Sequence, residues 1–110
     1  MRNTPAVALA AMLASTPFAL AQSDLHLTGA DFLSVCTRAD ADWISFCNGY
    51  VQAIFDGLRR PGEEICPPAD LKRTMVIENV VQQLQALPAL QAAPAASVVY
   101  DYLVVTFPCP

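Results

Sequence analysis

The sequence holds one histidine, His26, and no closely spaced Cys/Cys or Cys/His pair. That absence argues against a structural zinc site and excludes the Cys-x-x-Cys motifs of redox and haem proteins. Ser34, Ser45 and Ser97 stand outside any nucleophile-elbow pattern. The carboxylate pairs Asp40/Asp42 and Glu63-Glu64 fall in connecting segments, and no calcium-loop spacing follows Asp40. They read as helix caps and solvated loop. An enzyme needs a nucleophile with a base, or a metal with an open position, and neither can be assembled from these residues. The sequence therefore reads as a non-enzyme that implies no metal and no cofactor. Basic residues number six against ten acidic ones, so the basic footprint of a nucleic-acid binder is missing. Past the first residues, no run approaches the ~20 uncharged apolar residues of a membrane span. The most apolar later stretch, Val98–Phe107, is too short and contains Asp101.

What is present begins with Met1-Arg2-Asn3, then the apolar run Ala6–Ala14, a helix-breaking Pro17 and the small-x-small triplet Ala19-Leu20-Ala21. This reads as a secretory signal peptide over residues 1–21, with cleavage between Ala21 and Gln22 and export to the periplasm. The apolar run is too short for an anchor, and no cysteine lies near the cleavage point to carry a lipid. Without the leader, ten acidic side chains face five basic ones, and that acidity favours basic partners. Residues 22–110 are enough for one domain, but burial in so small a domain is marginal and covalent crosslinks help it. Four cysteines in a short exported chain read as two disulfides.

Gln22–Leu27 reads as a solvated arm. Thr28 caps a short first helix with Asp31 three residues on, and Phe32, Leu33 and Cys36 share one face. The central helix runs from about Asp42 to Leu58 or Arg60. Its apolar side carries Trp43, Phe46, Tyr50, Val51, Ile54 and Leu58 at three-and-four spacing, with Cys47 among them. Asp40 or Asp42 caps it. Gly49 is costly inside a helix and suggests close approach of another backbone. Pro61-Gly62 stops the chain, and the turn Glu63–Pro68 contains Cys66. Asp70 is read as the cap of a third helix, Leu71 to about Leu87, with the stripe Leu71, Met75, Val76, Val80, Leu84 and Leu87. Pro88 ends it. Ala89–Ala93 is a linker, and Pro94 suits the first turn of a last helix. The segment Val98–Phe107 is β-branched and aromatic, yet a lone strand among three helices would have no partner, so a helix is expected. A helix this apolar calls for cover by a second subunit or another partner. The expected fold is all-α: a small four-helix bundle held by disulfides.

Four cysteines allow three pairings. Cys36 ends the first helix and Cys47 lies about a turn into the second, so a bridge there clamps the corner. Cys66 precedes the third helix and Cys109 follows the fourth, so a bridge there closes the bundle. These placements favour Cys36–Cys47 and Cys66–Cys109.

The segments Phe46-Cys47-Asn48-Gly49-Tyr50-Val51, Ile65-Cys66-Pro67-Pro68 and Phe107-Pro108-Cys109 resemble the Rap1a/Tai family of immunity proteins. So do the Thr28-Gly29 opening, Phe32-Leu33-x-x-Cys36 and Pro94-Ala95-Ala96, which extends the likeness over Thr28–Cys109. The chain departs from the pattern in its Ala/Gln-rich segment Gln85–Ala93 and in Ala53, where a second glycine is common. The resemblance implies a periplasmic, all-helical homodimer that binds a peptidoglycan amidase toxin delivered by type VI secretion and blocks its active site. Toxin-facing residues vary in such a family, so none is carried over. Exposed charge beside the apolar last helix points to Arg59, Arg60, Glu63 and Glu64, with the ends of helices three and four, as the partner surface. Two alternatives carry weight at this level: an acid-stress chaperone of the HdeA type, and an envelope accessory protein without a cognate toxin. Lys72 is the only lysine, which counts against the first, since such chaperones carry lysine-rich ends.

Overall fold

The computed structural model describes residues 26–59, 62 and 65–110. The expected leader and cleavage point, together with Arg60, Glu63 and Glu64, lie outside them. Among the described residues the fold is four α-helices and one 3-10 turn, with no strand. They are α1 (Gly29–Cys36), α2 (Ala41–Gly57), α3 (Arg73–Ala86), the 3-10 turn (Pro88–Ala92) and α4 (Ala95–Thr106).

Helix α1 starts where Thr28 and Asp31 form a reciprocal capping box. The Asp31 amide donates to Thr28 Oγ1 (3.1 Å), and the Thr28 amide donates back to Asp31 Oδ2 (3.0 Å). Hydrogen bonds from the Thr28 backbone and hydroxyl hold the Asp31 carboxyl below its ordinary value of 3.8. A depressed carboxyl adds stability above its ordinary pKa and loses it as pH falls through the folded-state pKa. The stability gap between wild type and Asp31→Ala is therefore expected to close as urea titrations move from pH 7 down past 3.8. A gap independent of pH would contradict the capping box as its source.

Helix α2 turns back on α1 through the Cys36–Cys47 disulfide, whose Cα atoms lie 5.8 Å apart. Three-and-four spacing admits two overlapping stripes on α2, and the crosslink selects between them. Cys47, Val51 and Leu58 are buried, while Phe46 turns outward at 41% exposure. The expected face was thus rotated too far toward the aromatics. Trp43, Phe46 and Tyr50 instead form a row of rings along the flank of α2, with centroids 5.7 and 5.9 Å apart, and Tyr50 meets Phe32 at 6.0 Å. Burial pushes the Tyr50 phenol up from its ordinary range. Asp40 occupies the N-cap position but makes no capping bond, because Arg38 Nη2 holds its carboxylate at 2.9 Å. The backbone approach expected at Gly49 is absent, and open space surrounds that position.

The close approach occurs at Gly29. A Cβ there would lie 2.5 Å from the Leu90 carbonyl oxygen and 2.8 Å from a Leu84 methyl. Only a residue without a side chain lets α1 settle onto α3 and the 3-10 turn. The Gly29 amide donates to the Ala93 carbonyl and the Ala95 amide to the Leu27 carbonyl, both at 2.8 Å. These bonds flank an antiparallel bridge between Thr28 and Pro94, which ties the start of the fold to the start of α4.

Asp70 does not cap α3. Ala69 and Asp70 form a turn closed by the Leu71 amide on the Pro68 carbonyl (3.1 Å), and the helix begins at Arg73 after Lys72. Val76, Ile77, Val80 and Leu84 are its buried residues, and Met75 and Leu87 are half exposed. Pro88 ends α3 and opens the 3-10 turn, which takes up most of the expected linker Ala89–Ala93. The Val98–Phe107 segment is helical through Thr106, as expected, and buries Ala95, Val98, Val99 and Leu103. Phe32, Val51, Val80, Leu84, Val99 and Leu103 are fully enclosed. Each such side chain supplies roughly 1.5–3 kcal/mol of transfer free energy against chain entropy. No polar or charged side chain is buried among the described residues.

Candidate functional site

All four cysteines are oxidised: Cys36 with Cys47, and Cys66 with Cys109. None of them is a thiolate nucleophile. No cluster of metal-ligating side chains occurs among the described residues, and none of their helices is long and apolar enough to cross a membrane. The features that invite a partner are concave surfaces.

A cleft of about 570 Å³ opens between the C-terminal half of α2 and the segment leading into α3. Helix α2 supplies Gln52 and Phe55, and Arg59 follows from the turn just past its end. The facing wall is Ile65–Leu71, where Pro67-Pro68 keeps the chain extended before the turn at Ala69-Asp70. Two links fix that wall to the end of α4. Cys66 is bonded to Cys109, with Cα atoms 4.9 Å apart, and the Cys66 amide donates to the Phe107 carbonyl at 2.8 Å. The floor is apolar: buried Val76, with half-buried Phe55, Ile65 and Leu71.

Polar order is set by Gln52. Its Nε2 donates to Asp56 Oδ1 at 2.9 Å, and its Oε1 accepts from Arg73 Nη1 at 3.1 Å. The amide is held in one orientation and draws the Arg73 guanidinium across the cleft. Guanidinium carries five N–H donors, so this bond leaves donors for an incoming acceptor. Arg59 is exposed and lines the same cleft.

A second concavity, about 330 Å³, lies between the end of α3, the 3-10 turn and α4. Leu87, Leu90, Val98, Tyr102 and Val105 contribute to it, and Asn79 Nδ2 donates to the Tyr102 hydroxyl at 2.8 Å. Val105 is 79% exposed and Leu87 52%, which leaves one side of α4 without cover. A third, smaller hollow of about 240 Å³ sits beside the first disulfide, where the Arg38 guanidinium lies 5.5 Å over the Trp43 ring.

Of the four charged residues expected at a partner surface, Arg59 lines the first cleft. Arg60, Glu63 and Glu64 fall outside the described residues. The sequence reading missed Gln52, Phe55, Arg73 and the wall Ile65–Leu71. The one available signal was Lys72-Arg73 following a proline-rich turn, two cations beside a segment that cannot be helical.

Among known protein families, the model described as Rap1a immunity proteins matches residues 28–109. No curated protein and no solved structure matches the chain.

Proposed function

The chain belongs to the Rap1a immunity proteins, and on that premise we propose that it acts in the periplasm, after cleavage behind Ala21, as the inhibitor of a peptidoglycan amidase delivered by type VI secretion. It binds the toxin and covers its active site rather than transforming a substrate. The observation that carries this reading is the extent of the match, which takes in both disulfides and every helix of the bundle. A doubly crosslinked body suits such a role, because a rigid surface gives up little conformational entropy on binding. Toxin contacts fall on the Arg59–Glu64 loop and the ends of α3 and α4. The exposed side of α4 around Val105 seats a second copy of the chain, which gives a homodimer.

The test looks first for an amidase gene beside that of this chain, whose absence counts against the reading, and then mixes that amidase with the oxidised protein from residue 22 onward. Equimolar addition is expected to abolish release of peptides from purified peptidoglycan, and reversing the charges of Arg59, Arg60, Glu63 and Glu64 is expected to restore hydrolysis. Undiminished hydrolysis by the neighbouring amidase excludes the immunity role. Unchanged inhibition by the charge-reversed protein removes the loop from the interface, and a single-chain mass in sedimentation equilibrium removes the dimer.

A further inference from the structure

Two arginines of this acidic protein line one cleft. Of six basic residues in the sequence, Arg59 and Arg73 line the cleft between α2 and the Ile65–Leu71 wall, and Arg60 and Lys72 are their neighbours in the chain. Arg38 lies elsewhere, paired with Asp40. On a chain of net charge −4, both charged residues that line this cleft are therefore arginines.

The recess is more than a charge. Beside the arginines the cleft carries apolar side chains, half-buried Phe55, Ile65 and Leu71 over buried Val76, so water leaving those three is displaced from hydrocarbon. A small inorganic anion would use the guanidinium groups and leave this floor wet. A purely apolar ligand would use the floor and leave two arginines facing nothing. The complementary ligand presents both chemistries within a few ångströms: a carboxylate for the guanidinium groups and an aromatic or aliphatic side chain for the floor. The size of the cleft, about 570 Å³, takes a few residues rather than one. The site is also preorganised. Gln52, oriented by Asp56, holds Arg73 at 3.1 Å, and the wall is anchored at Cys66 by the Cys109 bridge. Gln52 links the Asp56 carboxylate to the Arg73 guanidinium through one hydrogen bond on each side.

We propose that this cleft is a receptor for an acidic, apolar-flanked peptide segment of a partner protein, with Arg59 and Arg73 binding its carboxylates and the Phe55–Val76 floor taking the neighbouring side chain. This names the chemistry of the partner and rests on the immunity reading for its biological setting. The physical site stands or falls without that setting.

The closing experiment needs no toxin. The oxidised mature protein is titrated by heteronuclear NMR with a blocked five-residue peptide that alternates aspartate with phenylalanine and leucine. Parallel titrations use the same peptide with asparagine for each aspartate, and inorganic phosphate. The acidic peptide is expected to shift the amide resonances of Gln52, Phe55, Ile65 and Arg73. The asparagine peptide is expected to bind at least about tenfold more weakly, and raised salt to weaken the acidic peptide alone. R59E/R73E is expected to lose about tenfold or more in affinity, and R38E to lose none. Glutamate at position 73 stands in the first turn of α3, where an acid suits the helix dipole, so the variant keeps its fold and unchanged circular dichroism checks it. Equal binding of the two peptides overturns the proposal, as do displacement by phosphate at matched concentration, shifts confined to another surface, or no binding of either peptide at millimolar concentration. Failure of amidase inhibition with intact peptide binding would strike the immunity role alone, and the reverse result would strike the cleft alone.

Discussion

Replacing Cys66 and Cys109 together by alanine is expected to cost about 4 kcal/mol of stability, against roughly 2.8 kcal/mol for the Cys36/Cys47 pair. The difference follows from the loops they close, separations of 43 and 11 residues. In the chain-entropy account a longer loop removes more freedom from the unfolded state. A core of this size supplies only about 3–5 kcal/mol on its own. The Cys66/Cys109 variant is therefore expected to be largely unfolded at 37 °C, and the Cys36/Cys47 variant to remain folded with a lowered urea midpoint. The positions also differ in exposure. Cys66 and Cys109 are exposed whereas Cys47 is buried at 2%, so alanine at position 47 adds a packing loss that the outer pair does not suffer. Urea titrations of the two variants decide the matter. A loss under about 1 kcal/mol for the outer pair would contradict loop closure as the source of its stability.

Gly29→Ala is expected to be among the most damaging single substitutions, although it adds one methyl group. That methyl would meet the Leu90 carbonyl oxygen at 2.5 Å and the Gln91 Cα at 3.1 Å. Both are backbone atoms, so no side-chain rotation relieves them. The Leu84 methyl at 2.8 Å belongs to a fully buried side chain with nowhere to turn. Helix α1 must lift from the 3-10 turn, which strains the Gly29–Ala93 and Leu27–Ala95 hydrogen bonds. Overpacking of this kind costs up to about 3 kcal/mol, which in a domain this small lowers Tm by about 15 °C. The matching control is Gly49→Ala. Nothing lies within 4 Å of that position, and it sits in a helix interior. There the added methyl is expected to raise stability by about 0.5–1 kcal/mol through helix propensity and reduced unfolded-state entropy. A calorimetric scan in which both glycine variants moved Tm the same way would refute the assignment of the close contact.

The contrast between these two glycines shows where a single sequence stops being informative. Glycine in a helix signals either tolerance or contact, and which applies depends on a neighbour distant in the chain. Leu90 and Leu84 are that neighbour for Gly29, and no local pattern joins them. The helices themselves were legible, because apolar periodicity, Thr28 with Asp31, Pro88 and Pro94 act within a turn or two of their own positions. The rotation of α2 was not, because Phe46 and Cys47 both satisfy a three-and-four stripe. The sulfur bridge to Cys36 decided between them. Asp70 misled for a related reason: an aspartate before an apolar run serves a turn as well as a cap. The cleft was the least visible feature. Its residues come from two segments whose approach is fixed by the far end of the chain, through Cys109. Arg59 was legible as exposed charge, while Arg73 acquires its role only through Gln52, twenty-one positions away.

The hydrocarbon interior, free of buried polar groups among the described residues, has a consequence for engineering. Gln52, Arg59 and Arg73 stand outside that buried core, so they can be varied without opening a cavity in it. On the proposed reading of the cleft, a library varied at Gln52, Arg59 and Arg73 is expected to retune recognition while every variant inherits the same scaffold. Two allied lineages could diverge in target by the same route, keeping their sulfur frame and exchanging three surface residues.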